Sequence, residues 1–348
     1  MKTSTSKRLR WNVAIWLAAG LFMTSTAGMA SGPILPDPKA EARHHPQIEE
    51  TANGIPLVNI TAPSSGGVSR NEYEMFNVPD KGAILNNSYT LSKTELAGYV
   101  PGNNNMAERP AKIIVNEVTG AGSTSMDGFL EVAGNRADVV IANPNGITVN
   151  GGGFINTGKA FLTTGKPVYD GEDHLQRFDI TGGDILIEGK GLGGKETGSL
   201  AILSRAVKIN AGIWAKDLHI TTGANTVDAK TLEASAIEGK GGRPAFALDT
   251  AAIGGMYAGR ITLVGTEKGL GVNNSGTWSA EDNLTLDWNG DLKNSGTIYS
   301  KGNTDLRASR LENDKTIAAE RNLSAAAKEN IRNQGKLLAG ENMGIYAG

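Results

Sequence analysis

Four stretches set the fold: Asn274-Ser275-Gly276-Thr277, Asn294-Ser295-Gly296-Thr297, Asn313-Asp314-Lys315-Thr316 and Asn333-Gln334-Gly335-Lys336. Their first residues stand 20, 19 and 20 apart. A second asparagine keeps the same steps, at Asn283, Asn303, Asn322 and Asn342. Between them, apolar residues such as Leu284, Leu286 and Trp288, then Leu292, then Ile298, alternate with polar ones. That period of two is a strand pattern. A fixed step near 20 made of short strands and Asn/Gly turns marks a solenoid. Each unit is then one coil of a parallel β-helix, stacked on the next at about 4.8 Å. Asn and Gly accept the left-handed backbone that a sharp corner needs. Asparagines in register can also stack as an amide ladder. Asn274, Asn294, Asn313 and Asn333 are therefore expected to be corners, not ligands. Only Ala318 to Ile331 has a helix-like composition, and it keeps the same step.

Upstream, the strands are spaced less regularly. Ile113-Ile114-Val115, Val139-Val140-Ile141, Ile185-Leu186-Ile187, Ala201-Ile202-Leu203 and Ile261-Thr262-Leu263-Val264 are apolar or alternating, with Gly, Asn or Asp beside them. Irregular early coils leading into regular ones suit a capped solenoid. An open first coil would expose unpaired strand edges, so a cap is expected, from residues 57 to 90. The repeat motifs run on to Gly348, which reads as the front part of a longer filament. The fold expected is all-β: a right-handed parallel β-helix of ~20-residue coils with an N-terminal β cap and hairpins outside the helix.

Composition agrees. The 348 residues include 46 Gly, 29 Asn and no Cys. Disulfides, thiolate metal sites and a cysteine nucleophile are excluded. At 39% hydrophobic, the chain can bury a core. The formal charge of −2 argues against a nucleic-acid partner, which calls for a basic stripe.

The first thirty residues read as a secretory signal peptide. Lys2, Lys7, Arg8 and Arg10 precede a short apolar run, Trp11 to Met23, and Gly28 and Ala30 suit cleavage after Ala30. The run is shorter than the roughly 20 residues of a spanning helix. Its removal leaves 30 basic and 36 acidic residues. Residues 31 to 56 hold Pro33, Pro36, Pro38, Pro46 and Pro56 and read as an irregular linker. His44 and His45 within it lack further ligands at metal spacing and read as solvated.

Several segments resemble the filamentous haemagglutinin family. They are Val58-Asn59-Ile60, Val68-Ser69-Arg70-Asn71-Glu72-Tyr73, Phe76-Asn77-Val78, Gly82 to Asn87, and Ile113 to Val118. The sharpest match is Ala142-Asn143-Pro144-Asn145-Gly146-Ile147 followed by Gly151 to Thr157. It resembles the second signature of the two-partner secretion domain. Ala206 to Asn210 and Gly254 to Gly259 resemble later parts of that domain, particularly in contact-dependent inhibition proteins. Where the family carries an earlier Asn-Pro-Asn-Leu, this chain has Asn103-Asn104-Asn105-Met106, without the proline. The resemblance divides the chain into a secretion domain over 57–272 and filament repeats over 273–348.

It also implies a mechanism. A signal peptide engages the Sec machinery. The POTRA domains of a cognate outer-membrane β-barrel transporter then recognise the unfolded or partly folded domain in the periplasm of a Gram-negative cell. The chain threads through the barrel and folds outside, secreted or held at the surface. A distal region would meet a target cell or host receptor. Asn143, Pro144, Asn145, Gly146 and Ile147 carry two readings. One is a corner, because Asn-Pro-x-Gly is a good turn sequence. The other is contact with the transporter. Asn103, Asn104, Asn105 and Met106 are the variant first motif.

No enzyme, cofactor or metal is expected. Asp170, Glu172, Asp173 and Asp179 lie near His174, Arg177 and Lys166 and could bind calcium or act as acid and base. They also read as an exposed hairpin tip. The competing function is a secreted β-helix that binds or degrades polysaccharide, which needs a groove of convergent carboxylates. An autotransporter passenger would need a C-terminal barrel, and this chain carries no such pattern.

Overall fold

The computed structural model describes residues 33–348. The signal peptide expected over 1–30 lies outside them. Strands Thr277–Ala280, Thr297–Ser300, Thr316–Ala319 and Lys336–Ala339 stack in parallel, with Thr277 beside Thr297, Thr316 and Lys336 in turn. The steps of 20, 19 and 20 are thus coil lengths. A second face stacks Leu284 on Thr304, Leu323 and Met343. A third stacks Asn274 on Asn294, Asn313 and Asn333. Each coil visits the three faces in order, which gives a three-sided parallel β-helix. Trp278, Ile298 and Ile317 point inward from the first face. Leu286, Leu306 and Ala325 do so from the second, and Val272, Leu292 and Leu311 from the third. Full burial of each large side chain is worth about 1.5–3 kcal/mol. Residues Ala318 to Ile331 are strands, as the 20-residue step required.

The corners form for a different reason than the sequence suggests. None of Asn274, Asn294, Asn313, Asn333, Gly276, Gly296 or Gly335 has a positive φ. Glycine is needed there for closeness. A Cβ on Gly296 would collide with the carbonyl oxygen of Gly276, one coil earlier, and one on Gly335 with that of Lys315. Those carbonyls accept the next coil's hydrogen bonds, Thr297 N to Gly276 O at 2.8 Å among them. Lys315 puts a side chain at this position, and the bond from Thr316 N to Gly296 O is 3.3 Å.

The same three faces continue upstream, with two outer sheets added. An antiparallel sheet of Lys166–Tyr169, Leu175–Ile180, Asn225–Asp228 and Ala234–Ala236 covers the second face. Its Phe178 and Val227 pack on Val68, Val115, Val140, Phe161 and Leu203. A hairpin, Ser92–Thr94 with Gly98–Val100, covers Leu57, Ile84 and Ala133 on the first face. These early strands are buried on both sides, so they read as unbroken apolar runs. Later strands, such as Leu284–Trp288, face water on one side and alternate.

The cap differs from expectation. Residues 31–56 are no linker from Pro33 onward. Ile34–Pro36 pairs antiparallel with Val68–Phe76, and Gln47–Glu50 pairs antiparallel with Pro56–Asn59. Ile34 is buried beside Tyr73 and Phe76. The prolines misled because this segment closes the helix end. It needs only edge pairing, which proline permits. The cap therefore comes from 34–50 laid on the first coil, not from 57–90 alone. His44 is buried in it and His45 is exposed, so the solvated reading fails for the first.

Candidate functional site

The Asn143 motif is the corner between strands Ala137–Ala142 and Ile147–Val149. These strands do not pair with each other. The first pairs with Ile113–Val118 and Thr157–Thr163, and the second with Thr124–Met126 and Asp184–Ile187. The corner therefore sits where four coil contacts meet. Gly146 N donates to Asn143 O at 3.1 Å, closing the turn. Gly146 has φ +112°, which favours glycine. Asn143 is buried. Its Oδ1 accepts from Asn145 N at 2.9 Å, and its Nδ2 donates to Gly122 O at 2.9 Å and Thr124 Oγ1 at 3.0 Å. Asn145 Nδ2 donates to Gly120 O at 2.8 Å. Ile147 points into the core, while Pro144 and Asn145 are exposed.

The variant first motif repeats this geometry without proline. Asn103 is buried and its Oδ1 accepts from Asn105 N at 3.0 Å. The Nδ2 atoms of Asn103 and Asn105 both donate to Ile60 O at 2.9 Å. Met106 N closes the turn on Asn103 O, and the Met106 side chain is buried. Asn104 is exposed. In the variant motif both asparagines bind Ile60 O, and in the Asn143 motif Asn143 binds Gly122 O at 2.9 Å while Asn145 reaches the same oxygen at 3.4 Å beside its bond to Gly120 O. The turn therefore closes the same way with and without the proline, and the asparagine bonds are what the two motifs share.

The four repeat corners form the ladder that their spacing predicts. Nδ2 of Asn274 donates to Oδ1 of Asn294 at 2.8 Å, Asn294 to Asn313 at 2.7 Å, and Asn313 to Asn333 at 2.7 Å. Asn283, Asn303, Asn322 and Asn342 make a second, exposed ladder.

The acidic cluster is a hairpin tip between Lys166–Tyr169 and Leu175–Ile180. Its carboxylates are engaged separately. Asp170 accepts from the backbone N of His174 and Glu172 and faces His174 Nδ1 at 2.9 Å, which holds its pKa below the usual range. Asp179 pairs with Arg177 at 2.9 Å and Asp173 with Arg43 at 2.8 Å. Among the described residues, no three His, Cys, Asp or Glu side chains group to hold a metal.

Sequence reasoning missed where this tip goes: it docks on the cap. Arg70 bonds Glu72 at 2.8 Å and Glu117 at 3.2 Å, and lies 4.5 Å over the Tyr169 ring. His44 Nδ1 is 3.2 Å from Glu72 Oε1. Burial raises the Glu117 pKa against the pull of Arg70. Burial, with Arg70 beside it, lowers that of His44. The available signal was Arg70-x-Glu72 on one strand face, two residues apart.

His219 is expected to add to the acid sensitivity of the fold. His219, on strand Gly212–Thr222, has its pKa lowered by burial to about 4. Its native pKa lies below the unfolded 6.5, so its contribution is complete above pH 6.5 and is lost as pH falls toward 4. His219→Gln is expected to remove about 2–3 kcal/mol of acid-induced destabilisation between pH 6.5 and 4, read from urea midpoints.

Comparison with known proteins agrees with this geometry. The model of the TPS secretion domain family matches residues 33–299, and that of the haemagglutinin repeat matches 299–345. The chain is 42% identical to a Toxin CdiA of Yersinia pestis, over 79% of this chain and 9% of that protein. It is 44% identical to a 16S rRNA endonuclease CdiA of Enterobacter cloacae, over 79% of this chain and 8% of that protein. The aligned part thus spans about a tenth of the length of these relatives. The crystal structure of a filamentous hemagglutinin secretion domain superposes with TM-score 0.68 at 29% identity, over 91% of this chain and all of that one. Capped coils, paired Asn-x-Asn corners and a family match that begins at the cap lead to one assignment: the chain belongs to the TPS secretion domain family.

Proposed function

We propose that residues 33–348 form the export module of a large exoprotein. The Sec machinery delivers it to the periplasm through the signal peptide. The POTRA domains of a cognate outer-membrane β-barrel transporter bind it unfolded, and it folds into the β-helix outside the cell. The supporting observation is that folding consumes the Asn-x-Asn amides. Asn143 and Asn103 are buried with their side-chain groups bonded inside the coil. A transporter can read those asparagines only before folding, and folding then withdraws them. This makes recognition and release one directed step. The module itself does no catalysis. Adhesion or toxin delivery to a target cell or host receptor belongs to the distal part of such an exoprotein.

The test is release of the chain from cells with and without the transporter. Wild type is expected in the medium only when the transporter is present. Asn145→Ala removes an exposed residue's turn bonds, a cost of about 1 kcal/mol. It is expected to refold to a β-rich protein by circular dichroism, yet to be released several-fold less. Release of wild type without the transporter would overturn the proposal.

A further inference from the structure

A groove of about 520 Å³ runs along the edge between the first and second faces, lined by Arg109, Lys112, Arg136, Asn135, Asp138 and Ser65 among others. Its cations stand on successive coils. Lys112 precedes strand Ile113–Val118, and Arg136 precedes Ala137–Ala142, the next strand on that face. Lys159, in Thr157–Thr163, follows one coil later at the groove's margin, next to the lining residue Gly158, with its backbone N bonded to Asp138. The coil step of about 4.8 Å makes this a row of positive charge at near-regular spacing. All four cations are exposed, and none closes an ion pair within 4 Å among the described residues, although the charges of Arg136 and Lys159 act on the Asp138 carboxylate and Arg136 Nη2 donates to Thr157 O at 2.7 Å. Nine of the ten other described arginines do have one. The chain carries more acid than base, so two neighbouring arginines without an ion pair are no by-product of a basic protein.

We propose that the groove binds an acidic polysaccharide of the uronate type. Arginine presents a planar fork that suits carboxylate, and the row spacing suits a chain with one carboxylate per sugar ring. Asp138 separates this ligand from other polyanions. Its Oδ1 is held by Lys159 N at 2.8 Å, inside the groove. Asp138 repels either polyanion, but sugar hydroxyls can donate to its carboxylate and offset that repulsion, whereas polyphosphate has no such donor. No aromatic side chain lines the groove, so it lacks the stacking platform of a single-stranded nucleic-acid site.

The test is titration of the purified chain with polygalacturonate, dextran and polyphosphate at low salt. Polygalacturonate is expected to bind, to weaken with added salt, and to exceed the other two. Lys112→Ser with Arg136→Ser is expected to cost at least tenfold in affinity with an unchanged circular dichroism spectrum. Arg109→Ser, in an exposed loop, provides a second loss without touching a strand. Asp138→Asn is expected to weaken polygalacturonate binding and strengthen polyphosphate binding. Equal or tighter polyphosphate binding by wild type, or wild-type affinity in the Lys112/Arg136 variant, would overturn the proposal. The proposal is independent of the export reading, because these variants are expected to be released like wild type.

Discussion

Asn294→Ala, which removes the whole side-chain amide, is expected to lower the stability of the C-terminal repeats by about 3–5 kcal/mol. The side chain is buried and fully engaged. Its Nδ2 donates to Asn313 Oδ1, Gly296 O and Thr316 O, and its Oδ1 accepts from Asn274 Nδ2 and Gly296 N. Removing it leaves Asn274 Nδ2 with only the 3.4 Å contact to Thr297 O and Asn313 Oδ1 without a donor, both inside the coil stack. Each buried group left unpaired costs about 1–3 kcal/mol. The exposed ladder is the control. Asn322→Ala breaks bonds to Asn303 and Asn342 that water can replace, so it is expected to cost under about 1 kcal/mol. A solenoid couples mainly neighbouring coils. Urea melting followed by hydrogen exchange should therefore show Gly271–Ala339 opening early while Ala83–Thr222 stays protected. Equal effects of the two substitutions would sink the ladder account.

The repeat region was legible because it is nearly one-dimensional. A residue at i meets i+20, so spacing in the sequence is spacing in the fold, and Thr277, Thr297 and Thr316 stack as their numbers say. The ladder followed from the same arithmetic. The reason for the glycines did not. Backbone preference is a property of one residue, whereas the collision that excludes a Cβ at Gly296 involves Gly276, and only a packed coil reveals it. The cap was illegible for a related reason. Ile34–Pro36 pairs with Val68–Phe76 antiparallel, once, and a single non-repeating contact leaves no period to read. The Asn143 turn was legible from its own five residues, because Asn, Pro and Gly act locally. Its equivalence to Asn103–Met106 lay in shared carbonyl acceptors, Gly122 and Ile60, which are distant in sequence. The docking of the Tyr169–His174 segment on Arg43 and Arg70 spans about a hundred residues or more and belongs to the same class.

Phe178→Ala tests whether the outer sheet makes the early coils one cooperative unit. Phe178 is fully buried between that sheet and the second face, 5.8 Å from the Phe161 ring. It shares one buried cluster with Val68, Val115 and Val140, which lie on three successive coils. Truncation is expected to cost about 3–5 kcal/mol, the range for a buried phenylalanine. The pattern of loss distinguishes a clamp from a local contact. If the sheet only covers its nearest strand, exchange should rise at Thr157–Thr163 and fade within a coil. If it ties the coils together, Val68–Phe76, Ile113–Val118 and Ala137–Ala142 should lose protection as a group, while Leu284–Trp288 keeps it. The second outcome is expected, because the hairpin tip also reaches the cap through Asp173 and Arg43. The consequence for export follows from chain order. On the export route proposed above, the first coils could not complete their second face outside the membrane until Leu175–Ile180 and Asn225–Asp228 had emerged. Folding of this region is then one concerted step spanning some two hundred residues. Coil-by-coil growth begins only with the repeats beyond it, where each coil needs nothing but its predecessor.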